Sequence, residues 1–190
     1  AMKRKIFICA LLVICLSLTA FGSVAYFTAE STATNVITAG NLDIALKETA
    51  IPADGGDPVP FTNPVGVMPG VAVSKIVQVE NTGSQPAYVR VSVATAIQLA
   101  EGVTGEPDTG LVSMNIDLTH WTEKDGFYYY NQPLQAGAVT EPLFTTVTFA
   151  AEMDNLYQNS TATVHINAQA TQTAHNGASA LEAAGWPAAE

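Results

Sequence analysis

The imidazoles of His120, His165 and His175 are the first side chains to weigh for chemistry, because a neutral imidazole both moves protons and ligates zinc. They lie 45 and 10 residues apart, and no H-E-x-x-H pair sets two rings on one helix face beside a general base. Such a set matches no zinc motif, and three ordinary histidines are the reading. Asp54 and Asp57, next to Gly55 and Gly56, offer oxygen ligands for calcium but lack the twelve-residue loop spacing of an EF-hand, so they read as solvated loop acids. The carboxylate pairs Asp117 with Glu123 and Glu123 with Asp125 have the residue types of acid–base work, yet nothing in the sequence brings a substrate between them. Trp121 with Tyr128, Tyr129 and Tyr130 has the makings of a carbohydrate- or partner-binding platform. Strand alternation opposes this, sending Phe127 and Tyr129 to one face and Tyr128 and Tyr130 to the other. Asn159, Ser160 and Thr161 spell a glycosylation sequon, a three-residue match that reads as chance. No catalytic residue, cofactor-binding residue or metal ligand is assigned.

Compartment is decided at the start of the chain. Lys3, Arg4 and Lys5 form a basic region, followed by an uncharged apolar run from Ile6 to Ala20 that continues to Ala25. This is the pattern of a secretory signal, its apolar run forming a signal helix over residues 1–25. Ser23 and Ala25 supply the small side chains of a cleavage site, which places the cut before Tyr26. The alternative is an uncleaved anchor, because the run has the roughly 20 apolar residues that span a bilayer. Cys9 and Cys15 both lie in the leader, each preceded by an isoleucine where a lipobox needs a small residue. A chain cut after Ala25 is therefore thiol-free, and its core alone must hold it together. The remaining 165 residues make one domain, large enough to bury roughly 70% of its unfolded surface. They carry four basic and seventeen acidic residues, a net charge of −13, which argues for solubility outside the cell and against nucleic acid.

The elements that must carry these side chains are strands. Residues 26–40 form an extended, Thr-rich segment in which Phe27, Ala29, Ser31, Ala33 and Ile37 share one parity. Leu42, Ile44 and Leu46 alternate with polar residues, and residues 51–64 hold four prolines and two glycines that reject a helix or a central strand. Pro69 and Gly70 fit a type II turn opening a run in which Val71, Val73, Val77 and Val79 alternate. Val89, Val91, Val93 and Ile97 repeat the pattern, as do Met114, Ile116 and Leu118. Asp125 and Gly126 make a hairpin turn into the aromatic run, and strands follow at Leu143 to Phe149 and Thr161 to Thr173. Only Ala178 to Ala184 has helical composition, giving a short helical appendage within a 178–190 tail. Residues 41–177 are thus expected to form an all-β, two-sheet antiparallel sandwich of jelly-roll type.

The leader and the adjoining GSVAYFTAESTATNVITAGNLDI resemble the start of the TasA and camelysin (CalY) family, biofilm-matrix fibre proteins of Gram-positive bacteria. Further likenesses are MPG at Met68 to Gly70, VENTGS at Val79 to Ser84, GFYYYNQPLQAG from Gly126, PLFTTVTF from Pro142 and INAQATQ from Ile166. The resemblance implies secretion, leader removal by a SipW-type signal peptidase, a jelly-roll sandwich and homotypic polymerisation outside the cell. It further implies that the segment from Tyr26 to about Ile37, including Phe27, Ala29, Ser31 and Ala33, adds as a donor strand to a neighbouring subunit. Membrane contact is expected only through an uncleaved leader. The same family suggests one alternative, a secreted or cell-surface camelysin-type metallopeptidase, which the three histidines do not support; the aromatic run Tyr128 to Tyr130 with Trp121 gives a second, a surface adhesin-type binding module. The chain also departs from the best-known fibre subunit, being shorter and having an unmatched Pro-rich loop at residues 51–64.

Overall fold

The computed structural model describes the backbone of residues 28–38 and the chain from 42 to 188. Among these residues ten strands form two five-stranded sheets: β1 (Thr28–Thr38), β10 (Thr161–Gln172), β5 (Ala87–Gln98), β8 (Phe127–Tyr130) and β7 (Trp121–Lys124) in one. The other holds β3 (Val59–Pro60), β2 (Ile44–Ala50), β4 (Ala72–Asn81), β9 (Phe144–Phe149) and β6 (Val112–Met114) in that order. The sandwich is antiparallel as expected, save that β1 runs in the same direction as its neighbour β10.

Alternation in the sequence becomes the core directly. Val77 and Val79 of β4, Val89 and Val91 of β5, Phe144 and Phe149 of β9, and Val164 and Ile166 of β10 all turn inward and are buried. Trp121 is fully enclosed, its ring 5.1 Å from that of Tyr130. Short connections fix the strand ends. Val71 donates to the Met68 carbonyl at 3.3 Å with Gly70 at φ +77°, the turn expected at Pro69–Gly70. Asp125 and Gly126 both adopt positive φ and join β7 to β8 as a tight hairpin.

Two expectations need correction. Met114, Ile116 and Leu118 do not form one strand: β6 ends at Met114. The Asn115 carboxamide accepts from the backbone of Thr145 and Thr146, the Asn115 and Asp117 amides donate to the Thr146 and Leu143 carbonyls out of regular register, and Asp117 accepts from the Thr119 amide, so side chains interrupt the ladder and turn the chain, leaving Leu118 exposed. The helical appendage at residues 178–184 does not form. Asn176 instead donates to the carbonyls of Gln172 and Ala184 and accepts from the amides of Gly177 and Ala184, drawing the tail into a turn across the sheet. Seven residues of helical composition are too few to outweigh those fixed contacts.

One buried charge interrupts the apolar parity of β4. Lys75 stands on the same face as Val77 and Val79, and its ammonium lies 2.5 Å from Glu48 of β2 and 4.0 Å from the centre of the Phe61 ring. Burial pulls the Lys75 pKa down, while the bond to Glu48 opposes this. Replacing Lys75 by Met removes the cation beside a half-buried carboxylate and is expected to cost about 3–5 kcal/mol in urea denaturation. The double variant Lys75→Met with Glu48→Leu should recover most of that loss, and a double variant as unstable as the single would contradict the pairing.

Candidate functional site

The fold gives β10 two neighbours of opposite kind. On one side β5 pairs with it over twelve residues, from Thr161 with Gln98 to Gln172 with Ala87. On the other lies β1, with Ala29 opposite Ala162, Ser31 opposite Val164 and Ala33 opposite Ile166. The register then shifts, and Val36 meets Ala168 while Ile37 meets Gln169. Three steps along β1 match two along β10, so one extra residue is inserted near Asn35. Ile37 therefore leaves the register class of Ala29, Ser31 and Ala33. Those three pair with core-facing positions of β10, whereas Gln169 stands on its outer face. Tyr26 and Phe27, and the cleavage residues Ser23 and Ala25, lie outside the described residues.

Polar groups along β10 mark this strand out. Among the described residues, the buried side-chain atoms without a hydrogen-bond partner are Ser160 Oγ, Asn167 Oδ1 and Gln169 Nε2, all in or immediately before β10. Asn167 falls opposite the extra residue of β1. A strand interior that leaves polar atoms unsatisfied, beside a neighbour with an irregular register, is energetically expensive.

The tail covers the part of this sheet's outer face around Tyr88, Arg90 and Tyr129, whereas Ala94, Ala96 and His165 further along stay exposed. Arg90 of β5 stacks 3.8 Å from the Phe127 ring centre and 4.8 Å from Trp186, while donating to Gln169 and to the Pro187 carbonyl. Tyr129 meets Trp186 edge to face, Ala180 is buried against Tyr88 and Tyr129, and the Tyr88 hydroxyl donates to Gly177. Alternation places the tyrosines as expected: Tyr130 joins Trp121 in the core, and Tyr129 faces out beneath the tail. Neither set presents a free aromatic platform. Asn176→Ala should loosen this strap at a cost of about 1–3 kcal/mol, and acrylamide should quench more of the fluorescence as Trp186 opens. Unchanged quenching would show that Asn176 does not hold the tail.

The histidines do not converge. His165 is exposed on β10, His175 sits at φ +55° in the turn after it, and His120 lies where β7 begins. Among the described residues no group of three or more His, Cys, Asp or Glu is arranged to hold a metal ion. Asp54 and Asp57 are exposed in their loop, Asp125 occupies the hairpin turn, and Glu123 pairs across to Tyr128. A cavity of about 170 Å³ lined by Leu42, Gln85, Pro86, Gln172, Thr173 and Ala174 carries no ionisable side chain.

His120 does have a partner that spacing alone missed. Its Nδ1 lies 2.6 Å from Asp117 Oδ2, three residues back, across the turn that replaced the expected strand. Glu141, which accepts from the Tyr130 hydroxyl, adds its field. The bond to Asp117 raises the His120 pKa above 6.5 and lowers that of Asp117 below 3.8. Burial and Glu141 push Tyr130 up to about 12. The histidine contributes fully below 6.5 and loses its contribution as pH rises through its raised pKa. The aspartate's contribution is present above 3.8 and lost as pH falls through its lowered pKa. Wild-type stability should therefore decline as pH rises above 6.5, and His120→Gln should flatten that limb. In NMR the imidazole of Asp117→Asn should titrate closer to 6.5 than in wild type.

Comparison with family models, with curated proteins and with solved structures finds no match to the chain.

Proposed function

We propose that the chain is a secreted structural subunit of extracellular fibres, built on a jelly-roll sandwich, in which β1 of one copy takes the seat beside β10 of the next. The observation that carries this is the parallel pairing of β1 along β10 at the edge of its sheet, reached from β2 by a link of only residues 39–43. An edge strand on a short link is the element that copies exchange most cheaply, since the same backbone bonds form within one molecule or between two. The leader pattern and the TasA and camelysin resemblance support export, removal of residues 1–25 by a SipW-type peptidase, and polymerisation. The absence of cysteine after Cys15 leaves strand pairing and core packing as the means of cohesion.

The register supplies the test. Thr32 and His165 are Cα partners, so Thr32→Cys with His165→Cys, in the chain starting at Tyr26, tethers β1 to whichever β10 it occupies. Monomer oxidised before assembly is expected to form no filaments by electron microscopy. Filaments grown reduced and then oxidised should run as a covalent ladder on a denaturing gel. A chain starting at Asn41 should lack filaments altogether. Filaments from the oxidised monomer, or from the chain starting at Asn41, would remove the donor role.

A further inference from the structure

The two ends of the sandwich differ in a way that the strand-exchange reading does not use. β10 begins at Thr161, and Thr28 of β1 pairs with it there, so the described chain enters at this end. The loops over residues 51–71, 99–111 and 150–160 gather at the same end, because β2, β5 and β9 all run toward it and β4 starts from it. Of the eight large hydrophobic side chains exposed among the described residues, six stand here: Ile51, Val59, Val65, Met68, Val71 and Val103. Val65 is 82% exposed. Solvated apolar side chains concentrated at one end of a domain mark a contact surface.

Charge narrows the occupant. The same three loops carry Asp54, Asp57, Glu101, Glu106, Asp108, Glu152 and Asp154, and no lysine or arginine. A second copy meeting this end face to face would set like charges against each other, and a polyanion would be repelled. The chain preceding Thr28 supplies the remaining argument. Only Tyr26 and Phe27 separate Thr28 from the apolar run ending at Ala25, a span of roughly 7 Å when extended. A leader seated in a bilayer holds this end of the domain at the lipid surface.

We propose that this loop end rests on a zwitterionic lipid surface while the leader is attached, with Val65 and Met68 entering the headgroup layer. The inference depends on the leader reading, but not on strand exchange. Contact of this kind orients the domain before processing, directing β10 away from the membrane and holding the Ala25–Tyr26 bond at the surface. The apolar side chains gain by leaving water, whereas anionic lipid opposes the seven loop acids.

The test uses the full chain with Cys9→Ser and Cys15→Ser, carrying one reporter cysteine, Val65→Cys or Leu118→Cys, labelled with an environment-sensitive fluorophore. Leu118 is the control, 62% exposed at the opposite end. In phosphatidylcholine vesicles the label at 65 should shift to the blue and be quenched severalfold more strongly by spin-labelled lipid than the label at 118. Adding phosphatidylserine should weaken that quenching at low salt. A chain that fails to float with the vesicles would refute the leader reading and this contact with it. Flotation with equal, water-like signals at 65 and 118 would refute the contact alone. A blue shift at 65 in the chain starting at Tyr26, growing with protein concentration and without lipid, would assign the surface to a second copy and overturn the proposal.

Discussion

The structure depends on satisfying both edges of β10. Its inward side chains, Ala162, Val164, Ile166, Ala168 and Ala170, close one wall of the core, so the strand cannot move without opening the sandwich. One edge is met by β5 over its full length, and the other by β1 alone. Without β1, a row of backbone donors and acceptors on a central, buried strand would face water or another chain, the template that edge strands must otherwise conceal. That strand also carries the unsatisfied atoms of Asn167 and Gln169. A sheet finished by one irregular, parallel strand is complete yet open to exchange.

Much of this architecture was legible from period-two alternation. Val89, Val91, Val164 and Ile166 face the core as their spacing demands, because a half-buried strand has one arrangement that hides its apolar face. The failures share a cause: side chains that hydrogen-bond to distant backbone. Asn115 ends β6 by bonding to a strand thirty residues away, and Asn176 folds an alanine-rich tail that composition alone assigns to a helix. Neither partner lies within the window over which periodicity is read. Lys75 lies between Val73 and Val77 on the apolar parity, but period-two alternation does not say what neutralises it: its partners Glu48 and Phe61 come from a strand and a loop that only the tertiary fold brings near.

The candidate site was legible in part. Residues 28–38 form a strand as their Thr-rich alternation requires, but the inserted residue near Asn35 divides the set that shares one parity in the sequence. Alternation assumes an unbroken ladder, and a bulge is a property of two strands together. The contact between Asp117 and His120 was hidden for a related reason. A separation of three has no meaning in a strand, where alternate residues oppose, and acquires one only when a turn folds the segment back.

Polar side chains and apolar loops divide the work between the two ends. At the end where β4 meets β5, Asn81 is fully buried and bonds to Gln85, Leu134 and Gly83, while Asn176 and the Asp117–His120 pair fasten neighbouring turns. Directional bonds of this kind set strand registers, since a slip by one residue would strand every one of them. The opposite end has longer, glycine- and proline-rich connections, tied by bonds of the same kind from Ile51 to Ser74, from Asp108 to Tyr157 and from Leu156 to Asp154, and its exposed apolar side chains stand on these loops outside the central ladders. Because those side chains stand on the connections and not in the central ladders, the entry end can meet a boundary while the strand registers, and with them the seat beside β10, stay unchanged.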